Sequence, residues 1–157
     1  MGVSRPIQLP LSIPTGEKRQ ARSQFAALCY RKKAGKVQVM LVTSRRRRRW
    51  ILPKGWPEHG LTPAQTAERE AFEEAGIKGE AIDFCLGAFS YEKIISEDET
   101  LPCIAMVYPV RVLKKLKHYP EKQERKRKWF SLKAAAKRVG EPELKRIIKT
   151  FDPKLLK

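Results

Sequence analysis

The chain has 157 residues, 41% hydrophobic and 32% charged, which is long enough for one domain with a sizeable core. No run approaches the roughly 18 apolar residues of a membrane-crossing helix, and Met1 to Gly16 lacks the apolar core of a secretory signal, so the expectation is a cytoplasmic protein without a membrane partner. Its 34 Lys and Arg against 17 Asp and Glu give a formal charge of +17, a balance suited to polyanionic partners. Three cysteines, Cys29, Cys85 and Cys103, fall in separate apolar runs with no C-x-x-C pair. They read as buried free thiols in a reducing compartment rather than as disulfides or a zinc site. An N-myristoylation signal fails because Pro6 stands where Ser or Thr is required.

In chain order, residues 1–23, with Pro6, Pro10 and Pro14 among polar and basic residues, read as a basic extended arm ahead of a domain over 24–157. Phe25 to Tyr30 and Val37 to Thr43 are β-type runs around a polar turn and predict an antiparallel hairpin. The next stretch, Ser44 to Gly55, delivers five consecutive arginines and Lys54 to a loop. If extended, such a run alternates direction, so only about half of it reaches any one site.

The loop leads into a helix with defined ends. Thr62 suits the N-cap, Pro63 the first turn, Gln65 completes a Thr-x-x-Gln capping box, and Gly76 stops the helix. Ala64, Ala67, Ala71 and Ala75 form a small apolar face for close packing on a sheet. At about 100° per residue, Glu74 lies about 40° from Glu70 and Glu73 about 60° to the other side, so the three carboxylates share a face. Glu68 points nearly opposite Glu70. Like charges at this spacing repel, and the arrangement asks for a cation; a hard divalent ion such as Mg²⁺ takes oxygen ligands of this kind.

Beyond the helix, Ala81 to Tyr91 and Cys103 to Leu113 read as longer strands, the second requiring an edge or bulge at Pro109. The acidic Ser96 to Thr100 connects them. A basic segment, Lys114 to Lys128, precedes a short strand at Lys128 to Phe130. A helix after Ser131 turns Leu132, Ala135, Ala136 and Val139 inward, and a last one, Pro142 to Phe151, buries Leu144, Ile147, Ile148 and Phe151. The fold class is α+β, a mixed central β-sheet between helices. Trp50 and Trp129 read as packing residues, and His59 and His118 as isolated side chains.

Gly55, followed at the right interval by Arg69-Glu70-Ala71-Phe72-Glu73-Glu74-Ala75-Gly76-Ile77, resembles the Nudix box, G-x5-E-x7-R-E-U-x-E-E-x-G-U, of the Nudix hydrolases. Leu61 stands where that box has its first Glu, with Glu58 nearby in the same loop, and Ala71 where a larger aliphatic is usual. The flanks, Ser44-Arg45 to Ile51 and Arg125-Lys126-Arg127-Lys128-Trp129-Phe130, are similar to the diphosphoinositol polyphosphate phosphohydrolase branch, which also cleaves diadenosine polyphosphates. The likeness spans roughly 24–139, and the Pro53-Lys54-Gly55-Trp56 loop departs from the branch's Pro-Gly-Gly-Gly.

The resemblance implies the α/β/α sandwich of the Nudix fold and a Mg²⁺- or Mn²⁺-dependent pyrophosphohydrolase acting on a small polyphosphorylated molecule. It makes Glu70, Glu73 and Glu74 the metal ligands and catalytic carboxylates, with Arg69 pairing internally with a glutamate to fix the helix against the loop, its i,i+4 partner here being Glu73. Arg45, Arg49, Lys54, Gly55, Arg125 and Arg127 are then the substrate-binding set. Glu97 and Glu99 are candidates for a water-activating carboxylate on a distant loop. Two alternatives follow from the charge: a nucleic-acid-binding protein with a degenerate Nudix domain, or a Nudix hydrolase acting on RNA 5′ ends.

Overall fold

A computed structural model of the chain describes residues 22–156. Most of the expected arm therefore lies outside the described residues. The first strand, β1 (Arg22–Lys33), takes in Arg22 and Ser23, two residues earlier than the expected domain start. β2 (Lys36–Thr43) returns antiparallel to it, as the hairpin pattern predicted, around a turn in which Ala34 and Gly35 both have positive φ. Two short strands, β3 (Trp50–Ile51) and β4 (Lys54–Gly55), pair with β2 and β1 and carry the chain to helix α1 (Pro63–Ala75).

After α1 come β5 (Ile77–Ala81), β6 (Gly87–Ile94), the long β7 (Thr100–Lys115) and β8 (Arg127–Ser131), then helices α2 (Leu132–Arg138) and α3 (Pro142–Lys149) and a closing 3₁₀ turn (Pro153–Leu156). The sheet runs β3-β2-β1-β7-β5, with β6 also on β7 and β8 on β2. β1 and β7 are parallel while the neighbouring pairs are antiparallel, so the sheet is mixed as expected.

Alternation along β1 divides the core. Phe25, Ala27 and Cys29 face α1, where they meet Ala64, Ala67, Ala71 and Ala75; Ala26, Leu28 and Tyr30 face α2 and α3, where they meet Ala135, Leu144 and Ile148. Each large side chain buried this way contributes roughly 1.5–3 kcal/mol. The all-alanine face of α1 lets its axis lie close to the strands, which is what brings the carboxylates on its flank to the rim of β1 and β4.

Two strand expectations change. Ala81 to Tyr91 is not one strand: Ala81 ends β5 and a loop over residues 82–86 precedes β6. Pro109 needs neither an edge nor a bulge in β7. β6 pairs with β7 as far as Val107, β5 takes over at Val110, and Ile82 N–H donates to the Pro109 carbonyl in the break between them. A residue's N–H and C=O point to the same side of a strand, so the donor that proline lacks would have faced that break. Of the cysteines, Cys29 and Cys103 are buried as expected, but Cys85, in the split loop, is exposed. No helix of the described residues is long and apolar enough to cross a membrane.

Candidate active site

The local signals of α1 hold in full. The Thr62 hydroxyl accepts from Gln65 N–H, the Gln65 side chain accepts from Thr62 N–H, and Gly76 closes the helix in the left-handed region at φ 63°. With both ends set, Glu70 and Glu74 fall on the flank beside β4, only 8% and 6% exposed. Lys54 N–H donates to Glu74 Oε1 at 3.3 Å, and Arg125 Nη2 approaches Glu74 Oε2 at 3.7 Å. Gly55 lies so close that a Cβ added there would fall within the contact radius of Glu70 Oε1. Glycine is needed at this position because the chain must pass against a carboxylate.

The two carboxyls share a hydrogen bond, and both are held above the usual carboxylate range, chiefly by burial. Glu70, further raised by Glu74, Glu73 and Glu121, reaches about 8. Arg125 and Lys54 pull Glu74 back down. Desolvation in turn lowers Lys54 to about 8, against the opposing pull of Glu74 and Glu141. Burial thus disfavours the charged form of both carboxyls, and two adjacent carboxyl groups so placed are a donor set that fits a hard cation. Among the described residues no three His, Cys, Asp or Glu side chains converge into an enclosing cluster. A cation here would complete its shell with water, backbone or phosphate oxygens, the common arrangement for Mg²⁺.

The expected trio opens into a pair. Glu73 is turned along the helix surface, where it accepts from Arg69 Nε at 3.1 Å, and Arg69 Nη1 reaches Glu58 Oε2 at 3.3 Å. The physical reason is angular: Glu73 and Glu74 lie about 100° apart around the helix, and a nearby guanidinium captures the outer one. Arg69 thereby ties the loop to the helix, as the resemblance implied, with Glu58 as its loop partner. Leu61, in place of the box's first Glu, instead faces a shallow hollow with Gln65, Arg69 and Phe72.

Above the pair opens a cavity of about 890 Å³. Its walls hold Arg45, Arg49, Lys54, Gly55 and Arg125 from the expected substrate-binding set, and also Arg46, Arg47 and Lys93. The arginine run is a closed turn rather than an extended strand: Ser44 N–H donates to Arg49 O at 2.8 Å and Arg48 N–H to Ser44 O at 3.2 Å. Arg45 pairs with Glu124 and Arg48 donates to the Glu124 carbonyl, which pins the turn to the segment before β8. Arg125 is held from three sides, by Glu121 at 3.0 Å, the Thr43 carbonyl at 3.1 Å and Glu74.

Arg127 does not join them. Its guanidinium donates to the carbonyls of Ala75, Gly76 and Leu116 and lies over the Tyr119 ring, so it closes the C-terminal end of α1 instead of lining the cavity. It opens β8, opposite Val42 of β2, whereas Arg125 lies two residues earlier in the β7–β8 connection. Glu97 and Glu99 are likewise elsewhere, exposed in the β6–β7 connection.

Several cavity residues escaped the sequence reading. Glu121 arrives on the β7–β8 connection, where Glu121 N–H donates to the Glu73 carbonyl; its place four residues before Arg125 was the only local signal. Glu141 comes with the start of α3, while Trp56, Tyr91 and Gln24 come from β4's end, β6 and β1. The Tyr91 hydroxyl donates to Gln24 Oε1, and Lys54 Nζ sits over the Tyr91 ring at 4.6 Å.

The chain is similar in sequence and in fold to known proteins. A sequence model described as the NUDIX domain matches residues 21–151. "Nudix hydrolase 12, mitochondrial" of Arabidopsis thaliana is 33% identical over 119 residues, 74% of this chain and 59% of its own length. "Diphosphoinositol polyphosphate phosphohydrolase 3-beta" of Bos taurus is 32% identical over 135 residues, 85% of this chain and 76% of its own. The chain thus spans less than two thirds of the plant relative. Among solved structures, a C. elegans Ap4A hydrolase binary complex superposes with a TM-score of 0.63 at 22% identity, covering 86% of this chain and 98% of that one. The E. coli dihydroneopterin triphosphate pyrophosphohydrolase gives 0.61 at 19%, covering 84% and 97%. At those identities the structures speak for the fold alone. The family match covers most of the chain and starts beside the first described strand: the chain belongs to the Nudix hydrolase family.

Proposed function

We propose that the protein is a Mg²⁺-dependent pyrophosphohydrolase that cleaves a phosphoanhydride bond in a substrate with several phosphates in a row, of the dinucleoside polyphosphate or inositol pyrophosphate kind. The observation that carries this reading is the buried Glu70–Glu74 pair on the floor of a cavity whose walls are lined with arginine and lysine. A bound divalent ion, Mg²⁺ or Mn²⁺, would supply Lewis acidity and lower the pKa of a bound water. Glu70 and Glu74 would hold it. Arg45, Arg49, Lys54 and Arg125 bind phosphate oxygens, for which forked guanidiniums are well shaped. Arg69 keeps loop and helix in register, and Glu73 fixes Arg69. Glu121, close enough to raise Glu70, is the carboxylate from a distant loop that can take the proton of an attacking water. This role passes to it from Glu97 and Glu99.

The test is hydrolysis with Mg²⁺ or Mn²⁺ of a panel containing diadenosine polyphosphates, inositol pyrophosphate, nucleoside triphosphates, ADP-ribose and triphosphorylated RNA. Glu70→Gln and Glu74→Gln each lower kcat by roughly 10²- to 10³-fold. If nothing in the panel is cleaved, and the two variants leave a salt-sensitive RNA affinity intact, the protein is a nucleic-acid-binding module instead. A wide kcat/KM advantage for ordinary triphosphates or ADP-ribose would overturn the preference for long phosphate chains.

A further inference from the structure

At the end of the sheet away from the cavity, the chain gathers a second set of cations that the proposed reaction does not use. β1 and β7 run parallel with Tyr30 beside Arg111, after which β1 continues to Lys33 and β7 to Lys115, so both emerge at the same end. β5 starts there too, with Lys78 opposite Lys114. Lys32, Lys33, Lys36, Lys78, Lys114 and Lys115 are all exposed, and among the described residues none of the six has an ion-pair partner. The arginines of this end are already engaged. Arg31 lies over the Trp129 ring and donates to Gln38, and Arg111 pairs with Glu80, the one carboxylate within residues 31–36, 77–81 and 111–117. At about 3.3 Å per residue, Lys33 lies roughly 23 Å along β1 from Ala26, which pairs with Lys54 at the cavity. That is about twice the screening length at 0.1 M salt, so the two basic regions act separately.

Two pairs of these lysines face each other directly across a ladder: Lys33 and Lys36 flank the hairpin turn, and Lys78 stands opposite Lys114. Like charges so placed are unfavourable in the free protein, and an anion shared between the two ammonium groups removes the repulsion. We infer that this end of the sheet is a docking surface for a nucleic-acid duplex, held through its phosphates without regard to sequence. A duplex carries one negative charge per about 1.7 Å of its axis, with its phosphates outside and its bases stacked within. Lysine suits such a partner, as a mobile point charge that follows a phosphate row without fixed geometry, in contrast to the forked arginines of the cavity. A single strand is gripped by aromatic platforms, and residues 31–36, 77–81 and 111–117 contain no Phe, Tyr or Trp. An anionic membrane is gripped by cations together with protruding apolar side chains, and Leu113 is the only large apolar side chain exposed in these segments. A duplex docked here leaves the cavity open, so binding and hydrolysis proceed independently.

The test is fluorescence anisotropy with a labelled DNA duplex of about 20 base pairs and mixed sequence, in EDTA, between about 50 and 200 mM KCl. The wild type is compared with Lys33→Gln/Lys36→Gln and with Arg45→Gln/Arg49→Gln, two variants that lose the same charge at opposite ends of the molecule. With about five phosphates neutralised, the wild type shows a slope of about −4.5 in log affinity against log salt. The lysine variant gives up about two units of that slope and roughly tenfold or more in affinity at about 100 mM KCl. Its Tm is equal to or above that of the wild type, and its hydrolysis of polyphosphate in Mg²⁺ is unchanged. Lys78→Gln/Lys114→Gln behaves in the same way, while the arginine variant holds the duplex within twofold of the wild type.

An equal loss in the lysine and arginine variants means that the duplex senses net charge alone, and overturns the inference. A tighter hold on the single strand of the same sequence overturns it too, as does binding to vesicles of phosphatidylserine and phosphatidylcholine with no affinity for the duplex. Hydrolysis is read separately, so a protein that binds the duplex through these lysines and cleaves nothing fails only the function proposed above.

Discussion

Gly55 leaves no room for a side chain beside the Glu70 carboxylate, and this makes the sharpest prediction at the scale of a residue. Gly55→Ala places a methyl group where Glu70 Oε1 lies, so the carboxylate must move while the fold, anchored elsewhere, stays. A displacement of about 1 Å at a reacting centre costs on the order of 10²-fold. Steady-state kinetics should show that loss in kcat with a circular dichroism spectrum like that of the wild type. The raised carboxyls make a second prediction. Glu70 takes up its proton at about 8 when folded, well above the ordinary Glu value, so its contribution to stability is fully present below the unfolded pKa near 4.5 and is lost as pH rises through the folded value. With divalent ions chelated, the melting temperature should fall between pH 5 and pH 8.5. Glu70→Gln should flatten that slope, and if the variant melts with the same pH dependence as the wild type, the pair is not the source.

At the scale of elements, α1 is the piece that places chemistry, and its two ends are secured by different means. The N-terminal end is closed by its own capping box, the C-terminal end by Gly76 and by Arg127 arriving from β8. Arg127→Met removes the donors to three carbonyls and should destabilise the protein by on the order of 2 kcal/mol, a drop of roughly 4–8 °C in Tm. Because Arg127 faces away from the cavity, KM should remain within twofold of the wild type. A rise in KM with no change in Tm would restore it to the substrate-binding set. The two roles were indistinguishable in sequence: Arg125 and Arg127 occupy equivalent-looking places in one basic run, and only their partners in the fold separate them, Glu121 and the Thr43 carbonyl for one, the Ala75, Gly76 and Leu116 carbonyls for the other. The same limit applies to Pro109, whose tolerance in a central strand comes from a break between β5 and β6 that no local pattern announces.

On the scale of the whole molecule, the chain has a net charge of +17, and a cluster of its basic side chains lines one cavity. Such a field steers polyanions toward the site and is screened by salt over about 10 Å at 0.1 M. Measured between 50 and 300 mM KCl, kcat/KM for a polyphosphate substrate should fall steeply with kcat little changed. A flat salt profile would mean that the surface charge serves another partner.

The sequence by itself determined α1 and its caps, the shared face of its three carboxylates, the i,i+4 partnership of Arg69 with Glu73, and the hairpin, because each depends on periodicity or spacing within one segment. Tertiary structure alone decided which arginine faced the cavity, and how Glu121, Glu141, Tyr91 and Trp56 joined the site. Those choices depend on strand register and on which loops meet over the sheet. They involve residues far apart in the chain, and a partner across such a distance leaves no mark on local periodicity.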